Sequence, residues 1–251
     1  MKPEGELELT GRITTASNAT FLGTIDGTTV VYKPVAGEQP LWDFADGTLA
    51  NREAAAYLVS EAFGWNIVPL TWLREGPFGM GMVQVWQEPD VESDAVDLVP
   101  ADAVPEEGWR RVFEGTDEED RAVVLIHEDT AALRRLAVFD VVVNNADRKG
   151  AHILEMTDGH RYGVDHGLTF HVEHKLRTVL WGWIGEELAA DELAGIEHVG
   201  SLVFGELGDA LAGLLTDEEI YTLATRCDRL RSRGQFPGPR GHMPAMPWPL
   251  F

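Results

Sequence analysis

Lys33 closes the apolar run Thr29-Val30-Val31-Tyr32-Lys33. A lysine there either reaches the surface from the strand end or, if buried, needs a carboxylate partner, because an unpaired buried charge is expensive. Glu53 stands twenty positions on, near the start of an Ala-rich stretch. It is either that partner or a glutamate favoured in a first helical turn by the helix dipole. Residues 14–19 include Ser17 and Asn18 and no glycine. Hydroxyl and amide side chains with exposed backbone N–H groups can cradle a phosphate, although such clusters more often make turns. Residues 139–152 run from apolar into Asn144-Asn145-Ala146-Asp147-Arg148-Lys149, with His152 five positions after Asp147. Asp165 follows eighteen residues after Asp147, in a Gly163-Val164-Asp165-His166-Gly167 turn. The plainer reading of 144–152 is an Asn-rich helix stop and a charged loop. The other is that Asp147, His152 and Asp165 belong to one site.

The rest of the composition narrows what these groups can act on. The chain has 251 residues and a net charge of −22. A chain so acidic is a poor nucleic-acid binder, since that affinity rests on neutralising phosphates. It is also repelled by an anionic membrane surface, so neither nucleic acid nor stable membrane association is expected. One cysteine, Cys227, excludes an internal disulfide framework and a cysteine zinc site. Residues 1–11 lack an apolar signal core and no run approaches a membrane span, which sets the expectation of a soluble, cytoplasmic protein.

Elements must hold these residues in place. Alternation predicts strands over 7–14, 21–25 and 28–32, the last two joined by the hairpin signal Asp26-Gly27. A helix is predicted over 49–63, stopped by Gly64, then strands over 68–73 and 80–86. Residues 88–121 are crowded with Asp, Glu and Pro and read as a solvated surface insertion. A short strand over 122–126 precedes a helix over 130–143, where Leu133, Leu136, Ala137 and Asp140 recur at three and four. Residues 144–150 read as a polar loop, and 153–156 with 161–164 as a hairpin about Asp158 and Gly159. Residues 184–231 read as mostly helical. The Pro-rich tail is predicted irregular, docked by Trp248 and Phe251. Trp181 and Trp183 read as core. A strand-rich first part followed by a helix-rich second part predicts an α+β chain of two lobes, 1–87 and 88–251.

The segments Val30-Val31-Tyr32-Lys33-Pro34, Asn51-Arg52-Glu53-Ala54-Ala55 and Asn144-Asn145-Ala146-Asp147-Arg148-Lys149 resemble the actinobacterial phosphatidylinositol 3- and 4-kinase-like family, distant relatives of the HipA-type atypical kinases. The resemblance spans about residues 11–231. It implies a two-lobed protein-kinase-like fold and the use of ATP with Mg²⁺ or Mn²⁺. In that pattern Lys33 holds the nonreacting phosphates and Glu53 orients it. Ser17 and Asn18 lie in the loop over the phosphates, and backbone near Val85, Trp86 and Gln87 binds adenine. Asp147 positions the acceptor hydroxyl and takes its proton. Lys149 neutralises charge on the transferred group. His152 and Asp165 hold metal. The chain departs from the pattern with Lys149 where the relatives carry His, and with His152 where they carry Asn. Imidazole suits first-row transition metals, whereas Mg²⁺ prefers oxygen ligands, so Mn²⁺ is expected to serve at least as well. Alternatively His152 merely packs or hydrogen-bonds beside the loop.

The family name suggests an inositol lipid, but the negative charge points instead to a protein acceptor, the chain itself included, or a small hydroxyl compound. The cluster His174-Lys175-Leu176-Arg177 is either a reader of an acidic or phosphorylated acceptor or a solvated basic spot. Two other functions fit the same residues: AMP transfer to protein, and a non-catalytic nucleotide-binding scaffold.

Overall fold

The computed structural model describes residues 2–14, 18–90, 94–241 and 244–251. The alternating first third forms an antiparallel sheet. Its strands are β1 (Glu8–Ile13), β2 (Thr20–Ile25), β3 (Thr28–Pro34), β4 (Thr71–Gly76) and β5 (Gly79–Val85), in the order β1-β2-β3-β5-β4. Asp26 and Gly27 take φ of 49° and 76°, the left-handed pair that lets a two-residue turn match the twist of β2 and β3. Strand β4 starts later than the apolar pattern, because the Val68 amide donates to the Ser60 hydroxyl at 2.9 Å instead of to a strand. The sheet has its own small core of Leu7, Ile25, Val30, Tyr32, Trp72 and Val83.

Helix α1 (Leu49–Phe63) connects β3 to β4 and ends at Gly64, whose φ of 68° is the left-handed cap that glycine adopts without strain. Its Ala55, Ala56 and Val59 are buried in the larger core, with Leu136, Phe139, Ile196 and Leu223. The helix therefore packs its small side chains into the helical part of the molecule.

The stretch 88–121, expected to be a solvated surface insertion, contains strands among its described residues. These are β6 (Val96–Pro100) and β7 (Trp109–Thr116), which flank β8 (Ala122–Glu128) in an antiparallel sheet of order β6-β8-β7. Residues Val124 to His127 of β8 are buried, as in a central strand, and the outer strands carry mostly exposed side chains. Acidic residues are compatible with strands when those strands are edges facing water.

Helix α2 (Ala131–Val143) starts at Thr130, whose hydroxyl accepts the Leu133 amide, and ends at left-handed Asn144. The strands β9 (Ile153–Glu155) and β10 (Arg161–Gly163) form the expected hairpin. Helices α3 (Ala190–Leu202), α4 (Glu206–Leu211) and α5 (Asp217–Arg233) complete the core, and Trp181 and Trp183 are buried. The tail is irregular, but Trp248 does not dock it, being 86% exposed. Met246 and Leu250 pack on the core instead. The Ala245 carbonyl accepts from Trp181 Nε1 at 2.9 Å, and the Leu250 carbonyl from the Gly150 amide at 2.9 Å. Among the described residues no helix is long and apolar enough to cross a membrane.

Candidate active site

Three elements converge on Lys33. Strand β3 carries it, α1 supplies Glu53, and the turn after β10 supplies Asp165. Lys33 Nζ donates to Glu53 Oε1 at 2.8 Å and to Asp165 Oδ1 at 2.7 Å. Burial alone would lower the lysine pKa, but the two carboxylates outweigh it and hold the pKa above the usual value. Lys33 in turn keeps the Asp165 carboxyl well below the usual range, against its burial. Burial pushes Glu53 up, opposed by Lys33. The second oxygen of Glu53 accepts the His166 amide at 2.9 Å. One buried carboxylate thus joins the strand lysine to the turn that presents Asp165. That turn is held at a φ of 60° at Asp165, a conformation uncommon outside glycine and worth a search for function where it occurs.

The neighbouring Arg52 fastens the same turn of α1. It donates to the Thr169 carbonyl at 2.6 Å and pairs with Glu219 of α5 at 2.5 Å, both side chains being buried.

The loop after α2 carries Asp147, Lys149 and His152. It is organised by a network that sequence reasoning did not assign. Arg148 and Asp140 are both fully buried, with Nε and NH2 of Arg148 each 2.9 Å from an oxygen of Asp140. Arg148 NH1 donates to the carbonyls of His152 at 2.9 Å and Val164 at 3.1 Å, and NH2 lies 2.7 Å from His166 Nε2. Asn145 Nδ2 donates to Asp140 Oδ1 at 2.9 Å, and Asn145 Oδ1 accepts the Asp147 amide at 2.9 Å. One guanidinium therefore sets the spacing between the His152 and Asp165 segments. The signal was present as Asp140 on the apolar face of α2, a carboxylate that burial obliges to find a cation.

Asp147 Oδ2 lies 3.5 Å from Lys149 Nζ. Burial raises the Asp147 pKa, with Asp165 adding to the rise and Lys149 and Arg177 opposing it. His152 Nδ1 is 2.8 Å from the Asp147 carbonyl oxygen, so that nitrogen bears the proton. Burial lowers the His152 pKa to about 4, leaving the ring neutral near pH 7. Its Nε2 lone pair faces Asp165 Oδ2 at 3.4 Å. Two electron-pair donors turned toward each other fit a shared cation, and a ligating histidine characteristically has its other nitrogen tied to a carbonyl. No cluster of three or more His, Cys, Asp or Glu side chains suited to a metal occurs among the described residues. A site with two protein ligands is the kind that relies on substrate phosphates and water for the rest.

The remaining predicted positions are distributed differently. Ser17 lies outside the described residues. Asn18 Oδ1 accepts the Gln39 amide at 2.8 Å, tying the β1–β2 connection to the segment after β3. The Val85 amide donates to the Leu70 carbonyl at 2.9 Å and the Trp86 amide to Thr29 at 3.0 Å. Adenine contacts on this segment would therefore use groups other than these two amides. Gln87 is half-buried. Lys175 is neither an acceptor reader nor a solvated cation. It is buried, paired with Asp43 at 3.2 Å and Glu173 at 3.3 Å, and lies over the Trp42 ring.

No protein-family model matches the chain. A solved structure, the proinflammatory kinase CtkA of Helicobacter pylori, is similar at a TM-score of 0.47 and 10% identity, over 93% of this chain and 94% of that one. A curated relative, protein Rv2133c of Mycobacterium tuberculosis, is 51% identical over 261 residues, covering 99% of this chain and 93% of its own. At that identity over nearly the whole of both chains, the protein belongs to the family of Rv2133c.

Proposed function

We propose that the protein is a phosphotransferase of atypical kinase type, dependent on ATP and a divalent metal, within a phosphatidylinositol 3- and 4-kinase-like group. The observation that carries this reading is the convergence of Lys33, Glu53 and Asp165, with His152 Nε2 turned toward the same carboxylate. A charged lysine held by two carboxylates beside a pair of metal-ligating atoms suits a polyphosphate and its counterion.

In this reading Lys33 exchanges its Asp165 partner for phosphate oxygens and stays oriented by Glu53. His152 Nε2 and Asp165 hold the metal. When bound, Mg²⁺ or Mn²⁺ neutralises phosphate charge and aligns the transferred group. Asp147 accepts the acceptor hydroxyl's proton as the oxygen bonds to the γ-phosphorus and the β–γ bridging bond breaks, releasing ADP. Its raised pKa suits a base. Lys149 supports the charge on the transferred group. The backbone near Val85, Trp86 and Gln87 is assigned to adenine, and Ser17 and Asn18 to the phosphate side. The net charge of −22 favours a protein or small hydroxyl compound over an inositol lipid as acceptor.

Incubation with ATP labelled at the γ- or the α-phosphate tests the reading. Label transferred from the γ-position, and lost in Asp147→Asn and Asp165→Asn, is the expected result. Protein-bound α-label would identify AMP transfer instead. Nucleotide binding with neither label transferred would leave the non-catalytic nucleotide-binding scaffold, and absence of nucleotide binding would overturn that reading and both enzymatic ones.

A further inference from the structure

The basic cluster after the Asp165 turn leaves one cation unaccounted for. Lys175 is taken by Asp43 and Glu173, and Leu176 is buried. Arg177 is half-buried and has no carboxylate within ion-pair distance among the described residues. Its Nε is buried and has no hydrogen-bond partner among them. The other cations of the cleft are all paired: Lys33 with Glu53 and Asp165, Lys149 with Asp147, Arg148 with Asp140. A buried donor without a partner calls for an explanation.

The position of Arg177 is fixed by the backbone. Its amide donates to the Asn145 carbonyl at 2.9 Å, and its carbonyl accepts the Arg148 amide at 3.1 Å. Residue 177 therefore lies in register beside the loop segment that contains Asp147. The field of Arg177 is felt at Asp147, whereas the charges acting most strongly on Asp165 are Lys33, His152 and His166. Its backbone thus runs beside the loop segment that carries Asp147, the part of the site assigned to the acceptor. A guanidinium offers parallel N–H donors that match the oxygens of a phosphate or carboxylate.

We propose that Arg177 forms, beside Asp147 and Lys149, a binding site for an oxyanion carried by the acceptor, so that the molecule phosphorylated is itself anionic. This rests on the phosphotransferase reading and specifies its substrate class. An anionic acceptor is also the kind that an acidic surface would otherwise repel, so a local cation without a partner has a definite use.

The test uses the whole protein, saturated with the nonhydrolysable analogue AMP-PNP and Mg²⁺, which fills the place of the transferred phosphate. Inorganic phosphate, and acetate in parallel, is then titrated while the arginine Nε–H resonances are followed by ¹H–¹⁵N NMR. The expected result is a saturable shift of the Arg177 Nε–H with one or both anions. In Arg177→Gln the anion affinity should fall at least about tenfold, as for loss of a charge-assisted hydrogen bond. Arg177→Lys should retain part of it, and AMP-PNP affinity should stay within about twofold. No anion binding to the complex, or unchanged binding in Arg177→Gln, would overturn the proposal. So would an Arg177→Gln variant that loses AMP-PNP by the same factor, since Arg177 would then serve the nucleotide. If AMP-PNP does not bind the wild type, the phosphotransferase reading falls by itself. The anion site is then judged by the same titration on the nucleotide-free protein, where an Arg177-dependent shift would uphold it and an Arg177-independent one would overturn it.

Discussion

Replacing Asp140 by alanine should cost more than any other single change near the site. Arg148 and Asp140 both have no solvent exposure, and their contact is two-pronged. Removing the carboxylate leaves a guanidinium buried with only the carbonyls of His152 and Val164 and the His166 ring to satisfy it. Breaking a buried pair from one side costs about 3–5 kcal/mol. The Asn145 amide loses its acceptor as well, worth about 1 kcal/mol. Taking about 4 kcal/mol, and about 2–4 °C per kcal/mol for a chain of this size, the melting temperature should fall by about 8–16 °C. Urea unfolding and calorimetry would measure it. The double variant Asp140→Ala, Arg148→Met removes both charges and should cost less than the sum of the two single changes by about 2 kcal/mol or more. A single-variant cost below about 1 kcal/mol, or strictly additive costs, would refute the idea that this pair organises the loop.

Other outcomes follow from the same geometry. ATP with Mg²⁺ or Mn²⁺ at about a hundred times its dissociation constant should stabilise the protein by roughly 2.7 kcal/mol in thermal unfolding, and Lys33→Met and Asp165→Asn should abolish that gain. His152→Asn should shift preference from Mn²⁺ toward Mg²⁺, read by Mn²⁺ electron paramagnetic resonance with nucleotide present; an unchanged Mn²⁺ affinity would mean that His152 only packs there. Burial lowers the pKa of His127 and of His152 from 6.5 to about 4. The unfolded chain therefore binds more protons between those values, and stability should be full above pH 6.5 and decline as pH falls toward 4. Urea midpoints that stay flat from pH 7.5 to 4.5 would contradict this.

Much of the site was legible because its residue types are costly in their settings. A lysine ending an apolar strand, an aspartate in a turn after a short strand, and a polar run closing an apolar helix each announce a constraint. The structure brings Lys33, Glu53, Asp165 and His152 together. The supporting network was less legible. Arg148 and His166 sit in polar stretches that read as loop, and only three-dimensional packing buries them. The strands in the acidic stretch before β8 were hidden for the opposite reason, since charge density masks the pairing of β6 and of β7 with β8. Lys175 looked like a surface cation because its partner, Asp43, is distant in sequence.

The Arg52 fastening has a consequence for control. Glu53 meets Lys33 only while α1 keeps its place, and Arg52, one residue earlier, ties that turn to Thr169 and Glu219. Releasing the helix means parting that ion pair, freeing the Thr169 carbonyl and taking Glu53 from both Lys33 and the His166 amide, so the swing has to break several contacts at once. Many kinases use just this swing as their off state. Here the lysine–glutamate pair is assembled, and a signal acting through α1 would have to undo those contacts together. On the reading proposed above, output would follow the supply of nucleotide, metal and acceptor, with the protein itself held permanently ready.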